Sequence, residues 1–205
     1  MYEQLKARLV TGALAPGGKL KPVDLQKDYG CSLNTLRDVL MRLCTIGLVE
    51  FEMQKGFRAT PSSQDRMRDV ARFRLLLERE GAATSMERGG VAWEAELAAA
   101  HHKLSHIEQR IADAGDIGAF MPLWTDAERA FHETLISASD SPLLIETFSQ
   151  IYLRFRQQFA AQQHSFRNYD FEAIITEHQA IVEGALARDQ AACSAAIHRH
   201  LERHL

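Results

Sequence analysis

Hydrophobic positions along the chain recur at two spacings, and the change between them marks two parts. Up to residue 60 the apolar residues come in short groups. Leu5, Leu9 and Val10 suit one face of a helix over 2–11, which the run Gly12 to Gly18, with Pro16 inside it, interrupts. Pro22 opens a second helix that runs to Gly30. Ser32 is the expected N-cap of a third, whose Leu36, Val39, Leu40 and Leu43 keep helical spacing as far as Gly47. Two extended runs, 48–53 and 57–60, flank Gln54-Lys55-Gly56 and predict a β-hairpin.

From residue 64 onward the spacing is three to four residues throughout and no strand pattern emerges. Six helices are expected, over 64–88, 93–114, 117–139, 142–163, 170–188 and 190 to the end, divided by Gly-Gly, Gly-Asp, Asp-Ser-Pro and Arg-Asn-Tyr breaks. Long helices joined by short connections form antiparallel bundles, whose ligand and cofactor sites lie between facing helices. The expected fold class is therefore mainly α: a winged helix-turn-helix over 1–62, then an all-α bundle over 63–205.

Charge sharpens this division. The whole chain of 205 residues has a net charge of −3, but residues 1–62 carry nine Lys and Arg against six Asp and Glu, and the remainder fifteen against twenty-one. A mildly basic module joined to an acidic one suggests that the first meets a polyanion. Apolar residues make up 46% and charged residues 25%, which excludes a disordered chain, and no apolar run approaches the length of a membrane span. The start MYEQLKARLV lacks a secretory pattern, and Cys31, Cys44 and Cys193 are too few for a disulfide framework. A cytoplasmic setting is expected.

A helix-turn-helix followed by a hairpin wing places its second helix in the DNA major groove and its wing against the backbone. The candidate contacts are Ser32, Asn34, Thr35 and Arg37 near the start of that helix, Arg42 further along, and Lys55 and Arg58 in the wing. Asn and Arg reach base edges in pairs of hydrogen bonds, while Ser, Thr and Lys hold phosphates. As ordinary surface polars these residues would look the same.

Residues 1–60 resemble the winged helix of the GntR transcriptional regulators. The motif Ile/Leu-x-x-Gly-x-Leu-x-Pro-Gly-x-x-Leu is matched by Leu9 to Leu20, the recognition segment by Gly30 to Leu40, and the exit into the wing by Leu43 to Val49. Arginines usual in that family are replaced by Val23 and Leu33. The resemblance implies a homodimer on operator DNA.

In the acidic part, Glu128 and His132 stand four residues apart and share a helix face, while His178 and His200 fall on the last two helices. Three imidazoles and a carboxylate suit Zn²⁺, Ni²⁺, Mn²⁺ or Fe²⁺. By spacing alone, nine histidines would produce such a pair by chance. Residues 64–205 also resemble the helical FadR C-terminal (FCD) domain, whose metal-binding members carry Asp-x-x-x-His and two later histidines. Here Glu128-Arg129-Ala130-Phe131-His132, Glu177-His178 and His198-Arg199-His200 match, with Glu in the usual Asp position. The resemblance implies a divalent metal, zinc first among the candidates, and a small carboxylate or sugar-acid effector, with Arg74, Arg154 and Arg156 as its cationic partners. His101, His102 and His106 are read as solvated or interhelical polars, and Cys193 as a small core residue. Two other functions remain open on the residues alone: a metallohydrolase, and a metabolite sensor that has lost DNA binding.

Overall fold

The computed structural model describes residues 1–114, 118–161 and 170–205. The breaks expected at 115–116 and 167–169, the helix start at 117 and the helix end at 163 lie outside these residues. In chain order the described elements are α1 (Tyr2–Val10), β1 (Lys19–Leu20), α2 (Pro22–Tyr29), α3 (Leu33–Thr45), β2 (Val49–Glu52), β3 (Gly56–Ala59), α4 (Gln64–Arg88), α5 (Val91–Ala114), a 3₁₀ turn (Gly118–Phe120), α6 (Met121–Leu135), α7 (Pro142–Ala161), α8 (Phe171–Leu186) and α9 (Gln190–Glu202).

Two compact units divide between Met67 and Arg68 and again between Tyr152 and Leu153, so that the second half of α7 belongs with the first unit. In that unit Leu5 and Leu9 of α1 meet Leu36, Leu40 and Leu43 of α3, with Leu48 just before β2 and Ala59 of β3, all fully buried. Truncating one such leucine to alanine typically costs 2–5 kcal/mol, so these contacts set the angle between the helices. Ser32 caps α3 by accepting a hydrogen bond from the Thr35 amide at 3.1 Å. The sheet has three antiparallel strands in the order β1-β3-β2, with Val49 opposite Ala59 and Lys19 opposite Arg58. Sequence periodicity misses β1, because two residues are too short to show alternation and only pairing with β3 makes them a strand.

The second half of α7 grips this unit through its backbone. Arg154 Nε donates to the Ile46 carbonyl at 2.8 Å, Gln157 Nε2 to Leu48 at 2.9 Å and Gln158 Nε2 to Pro61 at 3.1 Å. These carbonyls lie where the chain leaves α3 and enters and leaves the wing. Gly47, at φ +75°, sits directly under the Arg154 guanidinium, and a Cβ there would stand 2.5 Å from Nε.

The second unit is a bundle of α4, α5, α6, α8 and α9 with the first half of α7. α8 packs closely on α9 and on α5, and α5 on α6. α6 is shorter than the 117–139 expected, beginning at Met121 with Pro122 in its first turn and ending at Leu135. The turn from α8 to α9 uses Arg188 at φ 58°, a strained conformation for arginine. Its guanidinium is held by the Gly89 carbonyl at 2.7 Å and by Met86 and Glu94. Gly184 lets α9 approach α8, since a Cβ there would lie 2.7 Å from the Cys193 nitrogen.

Candidate functional site

The bundle concentrates its buried polar side chains in one place. Arg74 and Glu78 of α4, Glu108 of α5, Glu128 and His132 of α6, His178 of α8 and His200 of α9 are all buried. Uncompensated buried charges cost several kcal/mol each, so a cluster of this size implies mutual pairing or a bound ion. One ligand atom from each of Glu128, His132, His178 and His200 can be chosen so that all four lie within 4.8 Å of one another. The imidazole centroids are 5.3 Å apart for His132 with His178 and with His200, and 4.5 Å for His178 with His200. The side chain of Phe131 walls the group, its ring 5.0 Å from His132 and 5.4 Å from His178.

Each histidine is backed by a carboxylate from a different helix. His132 Nδ1 is bonded to Glu78, His178 Nδ1 lies 2.9 Å from Glu108, and His200 Nδ1 lies 3.0 Å from Glu177. A carboxylate on Nδ1 keeps the proton there and leaves Nε2 with a lone pair, which is how histidine ligands are usually oriented. The Nε2 atoms of His132 and His178 are buried with no hydrogen-bond partner among the described residues, and His178 Nδ1 meets Glu108 as an ion pair without hydrogen-bond alignment. Two orphaned imidazole nitrogens facing a third imidazole and a carboxylate fit a divalent ion of the Zn, Ni, Mn or Fe type.

The electrostatics favour neutral imidazoles at His132 and His200 and the charged form at His178. Burial, reinforced by His178 and His132, lowers His200 well below its ordinary value. His132 is lowered by burial against the pull of Glu78. For His178 burial opposes the charge, but Glu108 outweighs it and the value is raised. Burial would raise Glu78 as well, yet His132 and Arg74 hold it ionised down to about 2. Arg74 Nε donates to Glu78 at 3.1 Å, its Nη1 lies 3.8 Å from Glu128, and its guanidinium stacks 5.0 Å over the Tyr152 ring.

Arg154 and Arg156, expected beside the effector, group with the first unit, Arg154 on the Ile46 carbonyl and Arg156 4.7 Å over the Phe159 ring. Arg154 is about 200° around α7 from Tyr152, which does reach the centre, and Arg156 is about 6 Å further along the axis. Sequence reasoning did not single out Glu108, Glu177 or Tyr152. Glu177 adjoins His178 in sequence but serves His200, a pairing that no spacing rule reveals. His101 is half-buried against Phe131, while His102 and His106 are exposed. Cys193 is in the core, where burial pushes its thiol up to about 12.

In the first unit, Asn34, Thr35, Arg37 and Arg42 are exposed on α3, with the Arg42 guanidinium 4.4 Å over the Tyr2 ring. Ser32 spends its hydroxyl on the cap, sharing a 2.8 Å hydrogen bond with Thr35 Oγ1. The wing cations are already paired: Lys55 with Glu52 at 2.6 Å, and Arg58 with Glu50 at 3.1 Å and with Glu52.

A winged helix-turn-helix on one chain with a helical bundle enclosing a polar centre defines a DNA-binding regulator with a sensing domain. Residues 1–58 match the family of bacterial regulatory proteins of the gntR type, and residues 69–203 match the FCD domain. The chain is 36% identical to the uncharacterized HTH-type transcriptional regulator BphR of Paraburkholderia xenovorans, over 98% of its own length and 80% of that protein's. It is 28% identical to the HTH-type transcriptional repressor GlaR of Escherichia coli, over 98% and 90%. Solved structures of E. coli McbR/YncC and of a GntR regulator from Rhodococcus sp. RHA1 share its fold, with TM-scores of 0.80 and 0.77 at 21% and 19% identity, each covering 98% of this chain and 92% of the other. The chain belongs to the GntR family of transcriptional regulators with an FCD effector domain. The relatives are regulators, not enzymes, and among the described residues no helix is long and apolar enough to cross a membrane.

Proposed function

We propose that this regulator binds operator DNA as a homodimer and that a small carboxylate or sugar acid, bound at a divalent metal in the FCD domain, controls that binding. The observation that supports it most is the convergence of Glu128, His132, His178 and His200, one ligand atom of each within 4.8 Å of the others, with the Nε2 atoms of His132 and His178 buried and without a hydrogen-bond partner among the described residues. Zinc suits a set of three imidazoles and one carboxylate best, and nickel, manganese or iron would also fit. Bound there, the ion would supply a Lewis-acidic position for an effector carboxylate. Glu78, Glu108 and Glu177 orient the imidazoles, and Arg74 presents a cation beside Glu128 for the effector's charge.

On the DNA side, Asn34, Thr35 and Arg37 meet base edges and phosphates, and Ser32 holds the start of α3. Arg42, Lys55 and Arg58 meet phosphates, the last two by exchanging Glu52 and Glu50 for DNA. A palindromic operator engages two heads, which multiplies the affinity of each. Effector and operator then alter each other's affinity reciprocally.

Metal analysis of the purified protein, with and without His178→Ala, tests the centre. Near-stoichiometric metal lost in the variant is expected, with a chelator lowering Tm by about 5–10 °C in the native protein only. Metal content unaffected by the variant would refute the site. Operator affinity measured with and without a panel of carboxylates and sugar acids tests the control, and equal affinities throughout would refute it.

The paired wing cations favour a second reading, a sensor without DNA binding. Affinity for upstream DNA that falls steeply with salt excludes this reading.

A further inference from the structure

The outward face of α3 carries a pattern that the charges in this unit do not explain. At 100° per residue, Asn34, Arg37, Asp38, Met41 and Thr45 fall within a sector about 100° wide, and all five are exposed. Leu36, Leu40 and Leu43 fill the opposite face and are fully buried. Met41 is therefore an apolar side chain, 47% exposed, in the middle of a polar stripe, and it contributes nothing to a core that its neighbours already complete.

In the major groove the apolar feature of a base edge is the C5-methyl group of thymine. An unbranched, polarisable thioether adapts its shape to such a methyl group. Asn34, in the first turn of α3, has the amide that pairs with the N6 and N7 of adenine. Met41 lies seven residues further along the same face, about 10.5 Å away, which is about three base steps at 3.4 Å each. Of the guanidinium groups in this unit, Arg42 lies over Tyr2 and Arg58 is held by Glu50 and Glu52, which leaves Arg37 as the arginine of this stripe beside Asn34 and Met41.

We infer that Met41 reads a thymine C5-methyl group in each operator half-site, about three base pairs from an adenine read by Asn34. The inference rests on the DNA-binding function of this unit and adds the base class that it selects.

Selecting duplexes from a random library with the full-length, metal-loaded protein, and then replacing each selected thymine with deoxyuridine, removes only the methyl group. At one thymine per half-site the replacement should weaken binding about fourfold, the worth of one buried methyl-sized group, and about sixteenfold when both half-sites are changed. Met41→Ala should bind thymine and deoxyuridine duplexes equally, with an unchanged circular-dichroism spectrum, and Met41→Leu should restore the preference. Tight binding that tolerates deoxyuridine at every selected thymine overturns the inference alone, as does a Met41→Ala protein that still prefers thymine. Selection of no duplex at all overturns the DNA-binding reading together with it.

Discussion

Glu78 on α4 accepts the Nδ1 proton of His132 on α6, although the two residues are 54 positions apart. The same carboxylate holds Arg74 through its other oxygen at 3.1 Å. One buried glutamate thus sets the tautomer of a candidate metal ligand and orients the Arg74 guanidinium through Nε. Glu78→Gln should weaken metal binding about 10- to 100-fold, the usual cost of losing such a partner. Competition against a chromophoric chelator measures it, and an affinity within twofold of the native protein would contradict the role.

Acid should destabilise the metal-free protein in two stages. His132 and His200 have lowered values in the folded state, so the unfolded chain takes up protons near 6.5 that the folded chain refuses. Stability then falls as the pH drops below 6.5, by up to about 2–3 kcal/mol per pH unit while both resist protonation. His178, with its raised value, stabilises in the opposite sense: its contribution is full below 6.5 and is lost as pH rises through its folded value. Glu78 acts lower down, because its folded value of about 2 lies below the ordinary 4.5, and its contribution is present above 4.5 and lost toward 2. Urea midpoints against pH test this, and His200→Gln should flatten the upper stage.

Gly47 and Arg154 should be energetically coupled. Gly47→Ala meets two penalties: a methyl group at φ +75°, worth about 1–2 kcal/mol, and displacement of the guanidinium bonded to Ile46, worth about 1 kcal/mol more. In an Arg154→Ala background only the first remains. A double-mutant cycle by urea unfolding should therefore return a coupling of about 1 kcal/mol, and strict additivity would contradict the contact.

The wing glutamates should restrain DNA binding. Glu52 holds both Lys55 and Arg58. Glu52→Gln frees Lys55 and leaves Arg58 held by Glu50 alone, so operator affinity should rise several-fold and the dependence on salt should steepen by about one released counterion. Unchanged affinity and salt slope would mean that the wing does not approach the DNA backbone.

The three-to-four-residue spacing after residue 64, the Ser32 cap and the leucines of α3 were legible because helices and caps depend on neighbours within a turn or so. Glu128 and His132 were legible as a pair for the same reason, and motif resemblance added His178 and His200. What sequence missed depends on contacts across the fold. β1 exists only because β3 lies beside it. Arg154 and Arg156 share a helix with Tyr152, but the bond of Arg154 to the Ile46 carbonyl and the contact of Arg156 with the Phe159 ring are within the first unit.

Local periodicity and capping, which act within a few residues, thus determined that this chain is a winged helix followed by a helical bundle and paired Glu128 with His132, and motif resemblance joined His178 and His200 to that pair. Only the tertiary structure decided that Glu78, Glu108 and Glu177 each back a different histidine and that Glu50 and Glu52 occupy the wing cations. Those pairings join residues from separate elements, and burial and charge select among such partners only after the elements have packed.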